Sequence, residues 1–194
     1  MFEIPTTIEL NGKEFNIRNK GDYRTILDCF AALEDAELDK QERLFASLII
    51  FYEDIDSIED IYKLGNIETA ISEMYKFFNC GSDESSGRKV NYKLMDWKQD
   101  EQLIASAVNK VAGTEVRSID YLHWWTFMGY YSAIGKCPLS TILNIRDKIV
   151  KGKKLEKEER TFRQENPQYF VWNKNTVEEE EADRLVKELW NSGD

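Results

Sequence analysis

The sequence predicts an all-α protein, mainly a helical bundle, with one small N-terminal β-hairpin. Three observations carry this. Apolar residues recur at three- and four-residue spacing through most of the chain. Capping-box pairs open two of these runs, Asp39 with Glu42 and Thr176 with Glu179. Asn11-Gly12 stands between two short β-favouring runs, the strongest short-range hairpin signal.

The elements follow in order. Strands are expected near 7–10 and 14–17. A helix over about 22–33 aligns Tyr23, Ile26, Leu27 and Phe30, with Asp22 as its cap. The next begins at Asp39 and aligns Leu44, Phe45, Leu48, Ile49 and Tyr52. A third, over about 66–78, aligns Ile67, Ala70, Ile71, Met74 and Phe78. Three such faces cover one another only by packing together. Residues 80–93, "CGSDESSGRKVNYK", hold two Gly and three Ser and read as a linker, or else as a long surface loop.

Beyond it, Asp96 with Gln99 marks a helix burying Leu103, Ile104, Ala107, Val108 and Val111, ended by Gly113. An aromatic helix is expected over about 118–134, ended by Gly135. Pro138 suits the first turn of another helix, which buries Leu139, Ile142, Leu143 and Ile145. Gly152 interrupts it, and a polar helix over about 154–165 stops before Pro167. In the last stretch Ala182, Leu185, Val186, Leu189 and Trp190 form one stripe. That helix either folds back on the protein or docks on a partner. The organisation expected is 1–79 as hairpin and helices, 80–94 as linker, 95–166 as a second helical part, and 167–194 as loop and acidic tail.

Composition narrows function. The formal charge is −10, which disfavours general nucleic-acid binding. No apolar run spans a bilayer and the start lacks a secretory pattern, so no membrane role is expected. Three cysteines, an odd number without a CxxC pair, read as idle thiols in a reducing cytosol. The single histidine, His123, cannot build a metal cluster, and its aromatic setting reads as packing. GxGxxG, phosphate-loop and GxSxG patterns are absent. Carboxylate pairs such as Glu53/Asp54 and Glu59/Asp60 read as a solvated face, because no apolar setting splits their pKa values. No enzyme activity, no cofactor and no metal are expected.

Charge is uneven. Residues 146–163 hold eight Lys/Arg against four Asp/Glu, whereas 164–194 hold three against eight. The basic island reads as a contact for an acidic partner, as a surface paired with the protein's own tail, or, more weakly, as a nucleic-acid contact.

"LHWWTFMGYY", followed by "STILNIRDKIVKGKKLEKEERTFRQEN", resembles the second half of the bacteriophage "gene product fifteen" family. The "NGKEF" hairpin and the "FFNCG" that closes the first half fit the same order, so the resemblance covers about 10–166. It implies a tail assembly chaperone of siphophages or prophages. Such a protein binds and solubilises the tape measure protein in the host bacterial cytoplasm and helps recruit major tail protein. A homo-oligomer is compatible with this role; the alternatives to it are a minor structural or connector component kept in the virion and a nucleic-acid-binding regulator using 146–163. Partner contact is expected at Trp124 or Trp125 and at Lys153 and Lys154, with Leu185, Leu189 and Trp190 in the tail. Neighbouring helical positions point about 100° apart. One Trp should therefore be internal and the other nearer the surface.

Overall fold

The computed structural model describes residues 3–82 and 93–172. It is mainly α-helical with one two-stranded antiparallel sheet, as the sequence predicts. The chain forms two compact units. Among the described residues the first comprises 3–82 with 121–126, and the second 93–120 with 127–172.

In the first unit, β1 (Thr7–Leu10) pairs with β2 (Lys13–Asn16), from Thr7↔Asn16 to Leu10↔Lys13. Asn11 and Gly12 both take positive φ, 52° and 78°, as the tight hairpin turn requires. The sheet buries Ile8, Leu10 and Phe15. Next, α1 (Tyr23–Leu33) is capped by Asp22, which accepts from the Arg24 amide. The Asp39–Glu42 capping box opens α2 (Lys40–Phe51). Then α4 (Ile67–Phe78) is capped by Asn66. Their apolar faces meet around Ile26, Cys29, Leu48, Phe51, Met74 and Phe78, all buried. Tyr52 belongs to this core by donating its hydroxyl to the Ala70 carbonyl at 2.9 Å.

One helix escapes the sequence pattern. The single turn α3 (Ile58–Ile61), capped by Ser57, is too short for periodicity to reveal. The segment before it is held by Arg18, whose Nη2 donates to the carbonyls of Ile49, Tyr52 and Ile55 at 3.0–3.2 Å.

The second unit departs from expectation at its helix starts. Asp96 does accept from the Lys98 and Gln99 amides, but it caps a turn, and α5 (Glu101–Ala112) begins later. Gly113 ends it in the left-handed conformation, φ 72°. Leu103 is only half-buried and Val111 is exposed, so the buried stripe is Ile104, Ala105, Ala107 and Val108. Pro138 opens α7 (Pro138–Val150), which buries Leu139, Ile142 and Ile145, while Leu143 is half-buried. The polar helix α8 (Lys157–Glu165) starts three residues after the expected point, behind a Glu156–Glu159 capping box.

The aromatic helix is shorter than its composition suggests. Expected over about 118–134, α6 spans Trp124–Ser132. Residues 116–118 make a 3-10 turn, and Tyr121–His123 are not helical. The cause is a competing partner. Leu122 donates its amide to Asp22 Oδ2 at 2.9 Å, and its carbonyl accepts from the Tyr23 amide at 2.9 Å. These bonds tie the segment to the start of α1, so it cannot join α6. The helix is also only partly buried. Trp124 and Phe127 are fully buried, Trp125, Thr126, Met128, Tyr130 and Tyr131 are half-buried, and Gly129 and Ser132 are exposed. The boundary between the two units falls within α6, after Thr126.

Most of the expected 80–94 linker, and the tail with Leu185, Leu189 and Trp190, lie outside the described residues.

Candidate functional site

In the first unit the Trp pair closes the end of α4. A helix leaves its last carbonyls without intrahelical partners. Trp124 donates its indole N–H to Phe78 O and Trp125 donates its own to Phe77 O, each at 2.9 Å. Trp124 is 1% exposed, with its ring edge-on to Phe30 at 5.7 Å. Trp125 is half-buried, tilted against Phe77 at 5.8 Å and close over Gly81. The two side chains thus do the same job at different depths.

His123 orders this node. Its Nδ1 accepts from the Trp125 amide at 3.0 Å, which satisfies one of the first, unpartnered N–H groups of α6. Its Nε2 lies 3.0 Å from the Pro5 carbonyl, so the tautomer with the proton on Nε2 fits both contacts. The ring sits edge-on to Phe77 at 5.5 Å. Gly21 faces it, with φ 75°; a Cβ there would stand 2.7 Å from Phe77 Cζ.

Burial holds the His123 pKa below its ordinary 6.5, against the opposing pull of the Pro5 carbonyl and the Asp22 carboxylate. The neutral ring is therefore the folded form. The unfolded chain binds the proton more readily, so this contribution is intact above about pH 6.5 and is lost as pH falls below it. His123→Gln, which keeps an acceptor, should flatten the stability–pH curve below about pH 6.5. Chemical denaturation at a series of pH values measures this; an unchanged slope would count against the neutral cap.

In the second unit the basic island is not uniformly available. Arg146, its first residue, has a 0% exposed side chain. Its guanidinium makes a bidentate pair with Asp100, Nη1 to Oδ2 at 2.6 Å and Nη2 to Oδ1 at 2.9 Å. Two further donors go to Leu94 O at 2.9 Å and Tyr169 O at 2.8 Å, and Trp172 lies against it at 4.9 Å. Trp172 is anchored by its own bond to Lys93 O. Lys148 is paired with Glu159 at 2.6 Å, which holds that carboxyl below its usual range, and Lys151 is paired with Asp147. Lys153, Lys154, Lys157, Arg160 and Arg163 are exposed.

Of the residues expected to meet a partner, Trp124 and Trp125 belong to the first unit and Lys153 and Lys154 to the second. Sequence reasoning placed Asp22 as the cap of α1 but missed its bond to the Leu122 amide, and it missed the Arg146–Asp100 pair and the anchoring of Trp172. No local signal could have found them, because their partners lie far away along the chain. The Cys29 thiol is buried, and burial pushes its pKa up to about 12, so it stays protonated. Among the described residues, no group of His, Cys, Asp or Glu could hold a metal ion, and no helix is long and apolar enough to cross a membrane.

No curated protein and no solved structure matches the chain. The family model described as "Bacteriophage Gp15 protein" matches residues 2–170, which takes in the hairpin, the Trp pair, the Arg146–Asp100 pair and the basic island. The chain belongs to the bacteriophage Gp15 protein family.

Proposed function

We propose that this phage protein is a tail assembly chaperone. It binds helical segments of the tape measure protein in the host bacterial cytoplasm, keeps them soluble until the tail polymerises, helps recruit major tail protein, and catalyses no reaction. Family membership is the observation that carries the reading. The chemistry of the chain supports it. Its net charge of −10 favours solubility of a complex with an aggregation-prone helix. Trp124, Trp125 and His123 are spent on closing α4 and starting α6, which leaves a scaffold suited to display rather than to proton transfer. A nucleic-acid role is less well supported, because burial removes Arg146 from the basic island and ion pairs occupy Lys148 and Lys151.

Co-expression with the neighbouring tape measure protein should raise its soluble fraction several-fold and give a complex that co-purifies. Equal insolubility with and without this chain, or recovery of the chain as a stoichiometric component of purified virions by mass spectrometry, would overturn the reading.

A further inference from the structure

The segment around α3 shows large apolar side chains on an acidic background. Ile58 is 53% exposed and Tyr62 72% exposed. They stand four residues apart across a helical turn, which places them on one side. The other side of the same turn is firmly internal, with Ile55, Ile61 and Leu64 buried. Outward apolar groups here are not the result of a loosely held loop. Arg18 fixes the carbonyls of Tyr52 and Ile55 and pairs with Asp56 at 3.0 Å, the Glu53 amide donates to Asn16 O, and Ser57 caps the turn. The display is preorganised, which lowers the ordering cost of binding.

Charge specifies the occupant. Between 53 and 63 the chain carries Glu53, Asp54, Asp56, Glu59 and Asp60 against Lys63 alone. Lys63 is taken up by Asp60 at 2.6 Å and Arg18 by Asp56, which leaves Glu53, Asp54 and Glu59 as exposed carboxylates in the same short stretch of chain as Ile58 and Tyr62. An acidic helix would be repelled, and a purely apolar one would leave these charges without counterparts. We infer that Ile58 and Tyr62 form a docking ridge for a cationic amphipathic helix. The helix sets its apolar stripe on the two side chains and its Lys or Arg residues against Glu53, Asp54 and Glu59. The inference rests on the proposed chaperone role only for the owner of that helix, the tape measure protein.

The test uses the full-length, 15N-labelled protein and two synthetic amphipathic peptides, one built of Leu and Lys heptads and one of Leu and Glu heptads. The Leu/Lys peptide should shift amides within 53–63, and its affinity should fall at least tenfold in the Ile58→Ser/Tyr62→Ser variant. A Glu53→Lys/Asp54→Lys variant should lose affinity while keeping the wild-type melting curve. Absent binding, equal binding of the Leu/Glu peptide, shifts confined to other regions, or variants that bind like wild type would each overturn the ridge. Co-expression separates the two ideas. If wild type and Ile58→Ser/Tyr62→Ser solubilise the tape measure protein equally, the ridge fails and the chaperone role stands. If wild type does not solubilise it, the chaperone role fails and the peptide result decides the ridge alone.

Discussion

Asp100→Ala should destabilise the second unit by about 3–5 kcal/mol, because it leaves a buried guanidinium without its counter-charge. Both side chains of the pair are essentially inaccessible, at 0% and 1% exposure. The Coulombic attraction of the intact pair is largely offset by the cost of desolvating two ions, so the pair itself adds little net stability. Breaking it is another matter, since one partner then keeps the desolvation cost without the attraction. Arg146→Ala should be similarly severe, and it also strips donors from Leu94 O and Tyr169 O. The Asp100→Leu/Arg146→Met double variant should be milder than Asp100→Leu or Arg146→Met alone, because no lone charge remains. A double-mutant cycle by urea denaturation, followed by the amide exchange of α5 and α7, measures the coupling. Additive losses across the cycle would show that the two groups do not act as a pair.

Trp124→Ala should lower stability by roughly 3–5 kcal/mol, through the cavity left in the core of the first unit. The change also leaves Phe78 O at the end of α4 without its indole donor. Trp125→Ala removes the equivalent bond to Phe77 O from a half-buried ring and should cost roughly 1–2 kcal/mol. Thermal denaturation of both variants tests the ordering. Equal, large losses would mean that the two rings are equally internal in solution. Trp124→Phe separates the two contributions, since it keeps most of the apolar volume and removes the N–H.

Elements governed by neighbours in sequence were legible. The hairpin lay in Asn11-Gly12, the start of α2 in Asp39 and Glu42, the start of α7 in Pro138 and the end of α5 in Gly113. Each is a matter of local backbone conformation or of a side chain reaching an amide two or three residues away, and those forces act within the quoted stretch itself. The family was legible because its signature is a set of short motifs in a fixed order, each read from consecutive residues. The errors share a cause as well. "YLHWWTFMGYY" looks helical from Tyr121 onwards, yet Asp22, a hundred residues earlier, captures the Leu122 amide and delays the helix to Trp124. Arg146 looked like the first cation of a surface island, until Asp100 took it inside.

The sequence by itself therefore determined the helical class, the hairpin, the caps of α1 and α2, the proline start of α7, the glycine end of α5 and the family. Tertiary structure decided which Trp is core, what the single histidine does, and which cations remain outside. The physical reason is that periodicity and capping act over three or four residues. Burying a charge or starting α6 depends instead on donors and acceptors that only folding brings together.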